Sequence, residues 1–177
     1  MELYEKTIES KEVYKGKIFT LKRDVVELPN GKTTERDVVS HHGGVGVIAM
    51  TADGKIPTVR QYRKGIERIS LEIPAGKLEQ GEDPLECGKR ELKEETGFSA
   101  KEFSLITKIA PTPAYCSEII YIYEAKKLMA KEQKLDEDEF LNVEYYTLDE
   151  LYAMILSGEI IDAKTIVAVM YLYKKGE

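Results

Sequence analysis

Between Gly76 and Phe98 the chain reads GKLEQGEDPLECGKRELKEETGF, and this stretch constrains the fold more tightly than any other. Asp83 is placed to cap a helix, Pro84 suits its first position, and Glu86 three residues after Asp83 completes a capping-box-like pattern. Gly97 is the expected stop. Leu85, Gly88 and Leu92 form an apolar or small stripe at helical spacing, so one face packs. The preceding loop, Ala75-Gly76 through Gly81-Glu82, has two glycines that let backbone approach a neighbour or ligand closely. Glu91, Glu94 and Glu95 fall at i, i+3, i+4 and project from one face within a turn of each other. Like charges at that spacing cost helix stability, so a binder of opposite charge is the natural explanation, and Mg²⁺ prefers carboxylate oxygens shared with substrate phosphates. A solvated acidic helix is the competing reading of the glutamates taken alone.

The 177 residues, 42% of them hydrophobic, can bury a full core and fit one domain with room for a small appendage. Charge is high but mixed, 26 basic against 32 acidic residues for a net −6, which argues against a surface that coats nucleic acid. An anionic substrate would therefore have to be met by metal ions and local arginines. Two cysteines are too few for a disulfide framework. Cys87, in the helix, is expected to be a small buried apolar residue, and Cys116 has no paired histidine nearby in sequence. The start, MELYEKTIES, has no apolar signal core, and no run approaches transmembrane length. The expected compartment is the cytoplasm, with no membrane partner.

Residues 1–42 read as β structure: a short strand near Tyr4 to Ser10, then Lys17 to Leu28 and Lys32 to Ser40 around the turn Pro29-Asn30-Gly31. So small a sheet needs a neighbour, either the main domain or a second subunit. His41-His42-Gly43-Gly44 breaks the pattern and marks the expected boundary with residues 43–177; without a third ligand at suitable spacing, the histidines read as loop. Further strands are expected at Val45 to Met50, Ile56 to Tyr62 (with Pro57 at an edge or strand start), Ile69 to Ile73, Phe103 to Ile109, Glu118 to Tyr123 and Asn142 to Tyr146. Thr147 and Glu150 predict a helix that stops at Gly158, and a last helix starts near Asp162. This mixture of strands and helices fits an α/β layered domain.

The spacing Gly76, Glu82, then Arg90-Glu91-Leu92-Lys93-Glu94-Glu95-Thr96-Gly97-Phe98 resembles the Nudix box at every specified position. The resemblance to Nudix hydrolases implies an α/β/α sandwich around a mixed sheet, with residues 76–98 as loop, helix and loop, and hydrolysis of a diphosphate. Glu91 and Glu95, one turn apart, are then the best pair for the metal, with Glu94 next, as ligand or positioning group. The Ala75 carbonyl is a further ligand on family analogy. Glu82 either ligates or braces the loop, and Arg90 either orients Glu94 or contacts substrate. An arginine fork suits phosphate: the resemblance favours Arg63 as diphosphate ligand, while Arg60 reads first as a solvated strand arginine and Arg36 matters if its sheet reaches a partner's site.

Flanking segments are similar to ADP-ribose pyrophosphatases over nearly the whole chain: Leu71 to Gly76, Pro113 and Ser117-Glu118, Leu135 to Glu139, and Ile161 to Thr165. That resemblance implies AMP and ribose 5-phosphate as products, Mg²⁺ as cofactor with Mn²⁺ as a substitute, and a homodimer with exchanged N-terminal sheets that help bind adenosine. Tyr14 and Phe19 are aromatic candidates for adenine. It also implies that a carboxylate of a loop outside the box acts on the water, Glu137 matching best and Glu139 being its close rival. Glu118 is a further metal-site or substrate carboxylate. Ala114-Tyr115 departs from relatives that often carry glycine there, which puts substrate preference, not reaction class, in question. The alternatives are another nucleoside diphosphate derivative (NADH, a diadenosine polyphosphate, a sugar nucleotide) or a non-catalytic nucleotide-binding module.

Overall fold

The computed structural model describes residues 3–135 and 139–176. The chain divides into two compact units: one holds the residues up to Gly43 together with Ala110–Ile119, the other Gly44–Ile109 and the residues from Ile120 onward. A boundary drawn along the chain at 42/43 leaves out that second piece of the first unit.

The first unit is an antiparallel meander of β1 (Lys6–Lys15), β2 (Phe19–Glu27) and β3 (Thr33–His41) in that spatial order. The β2–β3 hairpin turns as its sequence demands: Gly31 has φ +78°, its N–H donates to Leu28 O at 2.9 Å, and Asn30 Oδ1 accepts from Lys32 N. The Ala110–Ile119 segment is tied to β3 through Val39, which donates to Tyr115 O (2.7 Å) and accepts from Ser117 N (2.9 Å). Every residue of β1 is exposed, and Leu3, Tyr4, Ile8, Val13 and Tyr14 stand in solvent. The first strand is longer than the Tyr4 to Ser10 expected, and β3 runs on through His41, the residue expected to end the pattern.

The second unit carries two sheets. One has the order β7 (Ala75–Lys77), β4 (Gly44–Ala49), β9 (Ile120–Ala130), β8 (Phe98–Ile109); the other has β10 (Leu141–Thr147), β5 (Lys55–Arg63), β6 (Arg68–Glu72). Only β4–β9 is a parallel pair, so the sheet is mixed. β4 is buried throughout, as expected of a strand covered on both faces. Its alternation sorts the layers: Val45, Val47 and Ala49 pack with Cys87 and Leu92 of α1 (Pro84–Thr96). Ile48 packs with Leu151 of α2 (Leu148–Leu156) and with Ala168 and Val169 of α3 (Ala163–Gly176). Pro57 is tolerated inside β5 because β6 pairs only as far as Val59, leaving that flank without a ladder partner.

Helix α1 begins and ends where its residues dictate. Asp83 accepts from Leu85 N and Glu86 N, while Glu86 pairs with Lys89 and not with the cap backbone. Gly97 closes it with φ +71°. Gly88 lets the helix lie close to β4, since a Cβ there would sit 3.1 Å from Val45 Cγ2. The short β7 and the early half of β8 were not legible from pattern, being too short and too polar respectively. Leu92 is fully buried between α1 and the sheet, so Leu92→Ala should lower unfolding free energy by about 2–5 kcal/mol in a denaturant titration, the range for a buried leucine truncation.

Candidate active site

The geometry starts from β7. Its pairing with β4 sets Ala75 opposite Gly46 and Gly76 opposite Val45, which brings the backbone against α1. A Cβ on Gly76 would lie 1.8 Å from Glu91 Oε1, so only glycine leaves room for that carboxylate. Glu95, one turn on, accepts from the Ala75 N–H at 2.8 Å. Glu91 is 7% and Glu95 2% exposed; burial, helped by the charges of Glu94 and Glu139, pushes Glu91 up to about 6, and burial, helped by Glu91 and Glu139, pushes Glu95 to about 8. Among the described residues no side-chain cation pairs with Glu95.

Arg90 is the cation of the outer part of the cluster. It forks onto Glu82 through Nε (3.1 Å) and Nη2 (3.2 Å), while Nη1 donates to Glu91 (2.8 Å) and Glu94 (3.1 Å). Glu82 also accepts from Glu79 N and so braces the loop. Arg90 is thus ion-paired with Glu94, one turn on, and equally with Glu82 and Glu91. Cys87 is an inert buried thiol, raised to about 12 by burial. Among the described residues no three ligating side chains converge on one point. The donor set still suits a hard cation: paired buried carboxylates short of positive charge, beside peptide backbone. Mg²⁺ is commonly held by one or two carboxylates with substrate phosphates and needs no full protein cage.

The loop after β9 is stitched to the end of α1. Lys131 N donates to Gly97 O, Lys134 N to Glu94 O, and Gln133 Nε2 to Glu95 O at 2.5 Å. Glu139 adds to the repulsion felt by Glu91 and Glu95. Glu139 also lines a groove of about 370 Å³ with Arg60, Tyr62, Ile69 and Phe140. Glu137 lies outside the described residues.

The arginines are engaged in ways the sequence did not announce. Arg60 is not merely solvated: it bonds Glu144 through Nε (2.9 Å) and Tyr146 through Nη2. Arg63, 41% exposed at its side chain, grips the buried Glu72 with Nε (2.8 Å) and Nη2 (2.6 Å) and is drawn also toward Glu95. Glu72 is held as well by Lys164 Nζ, and these cations take its carboxyl down to about 2 against burial. Neither Glu72 nor Lys164 is singled out by the sequence; the available signal is the lone charge of Glu72 in the apolar and small run 69–75, while Lys164, with Asp162 two residues before it, carries no such signal. In the first unit, Arg36 pairs with Glu5 (2.8 Å), Glu118 stands 3.5 Å from His41, and Pro113 lies in the segment tied to β3. Ala75, Glu91, Glu94, Glu95, Glu139, Arg60 and Arg63 thus share the second unit.

The NUDIX domain family matches residues 40–168, and a nucleoside diphosphate sugar hydrolase N-terminal domain matches residues 5–39. The chain belongs to the Nudix family. Within it, the chain is 46% identical over 175 residues to an ADP-ribose pyrophosphatase of Bacillus subtilis (strain 168), covering 98% of this chain and 95% of that protein. It is 47% identical over 170 residues to a methanol dehydrogenase activator of Bacillus methanolicus, covering 95% and 92%. An ADP-ribose pyrophosphatase of Mycobacterium tuberculosis (strain ATCC 25618 / H37Rv) is 34% identical over 94% of this chain and 82% of its own length. The fold is that of a crystal structure of an ADP compounds hydrolase, at TM-score 0.85 with 23% identity, over 98% of this chain and 95% of that one.

Two outcomes follow from this geometry. Gly76→Ala should fold, because the clash is with the flexible end of Glu91, yet lose most of the rise in Tm that Mg²⁺ gives the wild type; differential scanning fluorimetry with Mg²⁺ and with EDTA checks it. Glu72 has a folded-state pKa below its ordinary value, so its contribution is present above about pH 4.5 and is lost as pH falls toward 2. Wild type should therefore lose on the order of 3 kcal/mol more than Glu72→Gln over that window, as urea titrations at stepped pH would show.

Proposed function

We propose that the protein hydrolyses the diphosphate of ADP-ribose to AMP and ribose 5-phosphate with Mg²⁺, Mn²⁺ serving as a substitute. The observation that carries the reaction class is the buried Glu91–Glu95 pair pressed against the Gly76 backbone. The substrate reading is supported by similarity over nearly the whole length to proteins named ADP-ribose pyrophosphatase. Glu91 and Glu95, with Glu94 and the Ala75 carbonyl, would hold the metal. When bound, such an ion neutralises phosphate charge and lowers the pKa of a coordinated water.

The remaining work falls to the chain's own residues. Arg63 offers the outer edge of its guanidinium to non-bridging phosphate oxygens, the geometry for which a planar fork is suited. A loop carboxylate, Glu139 or Glu137, takes the proton of the attacking water as its oxygen bonds to phosphorus and the bond to the bridging oxygen breaks. Arg90 keeps Glu82, Glu91 and Glu94 apart and oriented. Arg36, Pro113, Glu118 and the exposed aromatics of the first unit are assigned to the adenosine end, in a homodimer. Support for the dimer is the row of uncovered apolar side chains on the first unit, Leu3, Tyr4, Ile8, Val13 and Tyr14.

A panel of ADP-ribose, NADH, diadenosine polyphosphates and sugar nucleotides with Mg²⁺ tests the substrate: ADP-ribose should rank among the best by kcat/KM, and a low rank refutes the reading. Glu95→Gln should cut kcat on the order of a hundredfold, the scale of one preorganised electrostatic group. Of Glu137→Gln and Glu139→Gln, the variant with the larger kcat loss at unchanged fold marks the residue that takes the proton, expected at about 10²–10⁴-fold for general-base loss.

A further inference from the structure

Glu72 ends β6 with its carboxylate 2% exposed and gripped from two sides. Arg63 donates Nε to Oε1 (2.8 Å) and Nη2 to Oε2 (2.6 Å), and Lys164 Nζ donates to Oε2 at 2.5 Å. Lys164 is itself fixed. Its Nζ also donates to Asp162 Oδ1 (2.9 Å), whose Oδ2 accepts from Thr165 N (3.0 Å) and Oγ1 (2.6 Å). Thr165 Oγ1 in turn accepts from Ile73 N at 2.8 Å. The lysine stem crosses Gly46, where a Cβ would come within 3.5 Å of Lys164 Cδ and 3.0 Å of Ile73 Cδ1.

This placement has no local reason. Lys164 is the second residue of α3, where a cation opposes the helix dipole, and burying an ammonium is costly unless it is paired. What it does accomplish is electrostatic. A lone Arg63–Glu72 pair would cancel and leave the arginine's charge spent on a buried partner. With Lys164 on the same carboxylate, the trio carries one positive charge in excess; Asp162 answers it by a direct bond to Lys164 and, without a bond, by its charge on Arg63. Arg63 is the one exposed member of the trio, its Nη1 has no partner among the described residues, and the charges of Glu95 and Asp162 act on it as well as that of Glu72.

We propose that Lys164 is a positioning residue for diphosphate binding: by sharing Glu72 it lets that carboxylate hold Arg63 rigidly while leaving the arginine's outer edge and positive charge for a substrate phosphate. The proposal rests on Arg63 as a diphosphate ligand. It is tested by a double-mutant cycle of Lys164→Met and Arg63→Ala, with two readouts: KM and kcat for ADP-ribose, and calorimetric affinity for methylenediphosphonate with Mg²⁺. Lys164→Met should weaken affinity in both readouts about tenfold, with kcat within about threefold, the scale of one weakened charge-assisted contact. In the Arg63→Ala background the same change should have no further effect, and Lys164→Arg should restore affinity. Wild-type affinity in Lys164→Met, or losses that simply add in the double variant, overturn the proposal while leaving the Arg63 reading intact. Wild-type affinity in Arg63→Ala overturns both. If Lys164→Met does not fold, Lys164→Gln, which keeps a donor and drops the charge, is judged by the same criteria, and methylenediphosphonate binding keeps the test independent of whether ADP-ribose is the substrate.

Discussion

Burying a carboxylate opposes folding unless its charge is answered, and among the described residues the second unit buries Glu124, paired with Lys126 and Lys175, and the three carboxylates Glu72, Glu91 and Glu95 around its candidate site. Each is answered differently. Glu72 has two cations and stays ionised far below its ordinary range. Glu91 has Arg90 alone and is pushed up. Glu95 has a peptide N–H from Ala75 and is pushed furthest. The deficit in positive charge thus grows inward from Arg90 to Glu95, which leaves the inner pair suited to a hard cation, whereas Glu72 is already answered by Arg63 and Lys164.

The scaffold around these groups is rigid for reasons of packing. Helix α1 is held between its Asp83 cap and Gly97 stop, lies on β4 through Gly88, and meets β7 through Gly76. The absence of a side chain at Gly76 lets a peptide approach where a methyl group would displace the Glu91 carboxylate. The loop after β9 closes on the same helix end by three hydrogen bonds, from Lys131, Gln133 and Lys134. Sites built this way owe their geometry to regular elements, and the loops supply what must adapt to a substrate.

Much of this was legible because the relevant signals are local. Capping residues, the Gly97 stop and the i, i+3, i+4 glutamates act within a few residues of themselves, so α1 and its acidic face follow from sequence, as do the Asn30-Gly31 hairpin and the Thr147–Glu150 capping box. What escaped was non-local. Arg60 was read as solvated because its partner Glu144 is 84 residues away in sequence. Glu72 and Lys164 are 92 residues apart, and neither announces the other along the chain. The three-residue β7 is defined only by its pairing with β4.

The amino-acid sequence by itself determined the acidic helix α1, the layered α/β class and the Nudix family, because these depend on periodicity, caps and spacing along the chain. Only the tertiary structure decided how charge is distributed among those carboxylates. Which one meets Arg90, which one meets Lys164 and Arg63, and which one is left with a peptide N–H depends on burial and on partners brought together by sheet pairing, and neither is written in any single stretch of the chain.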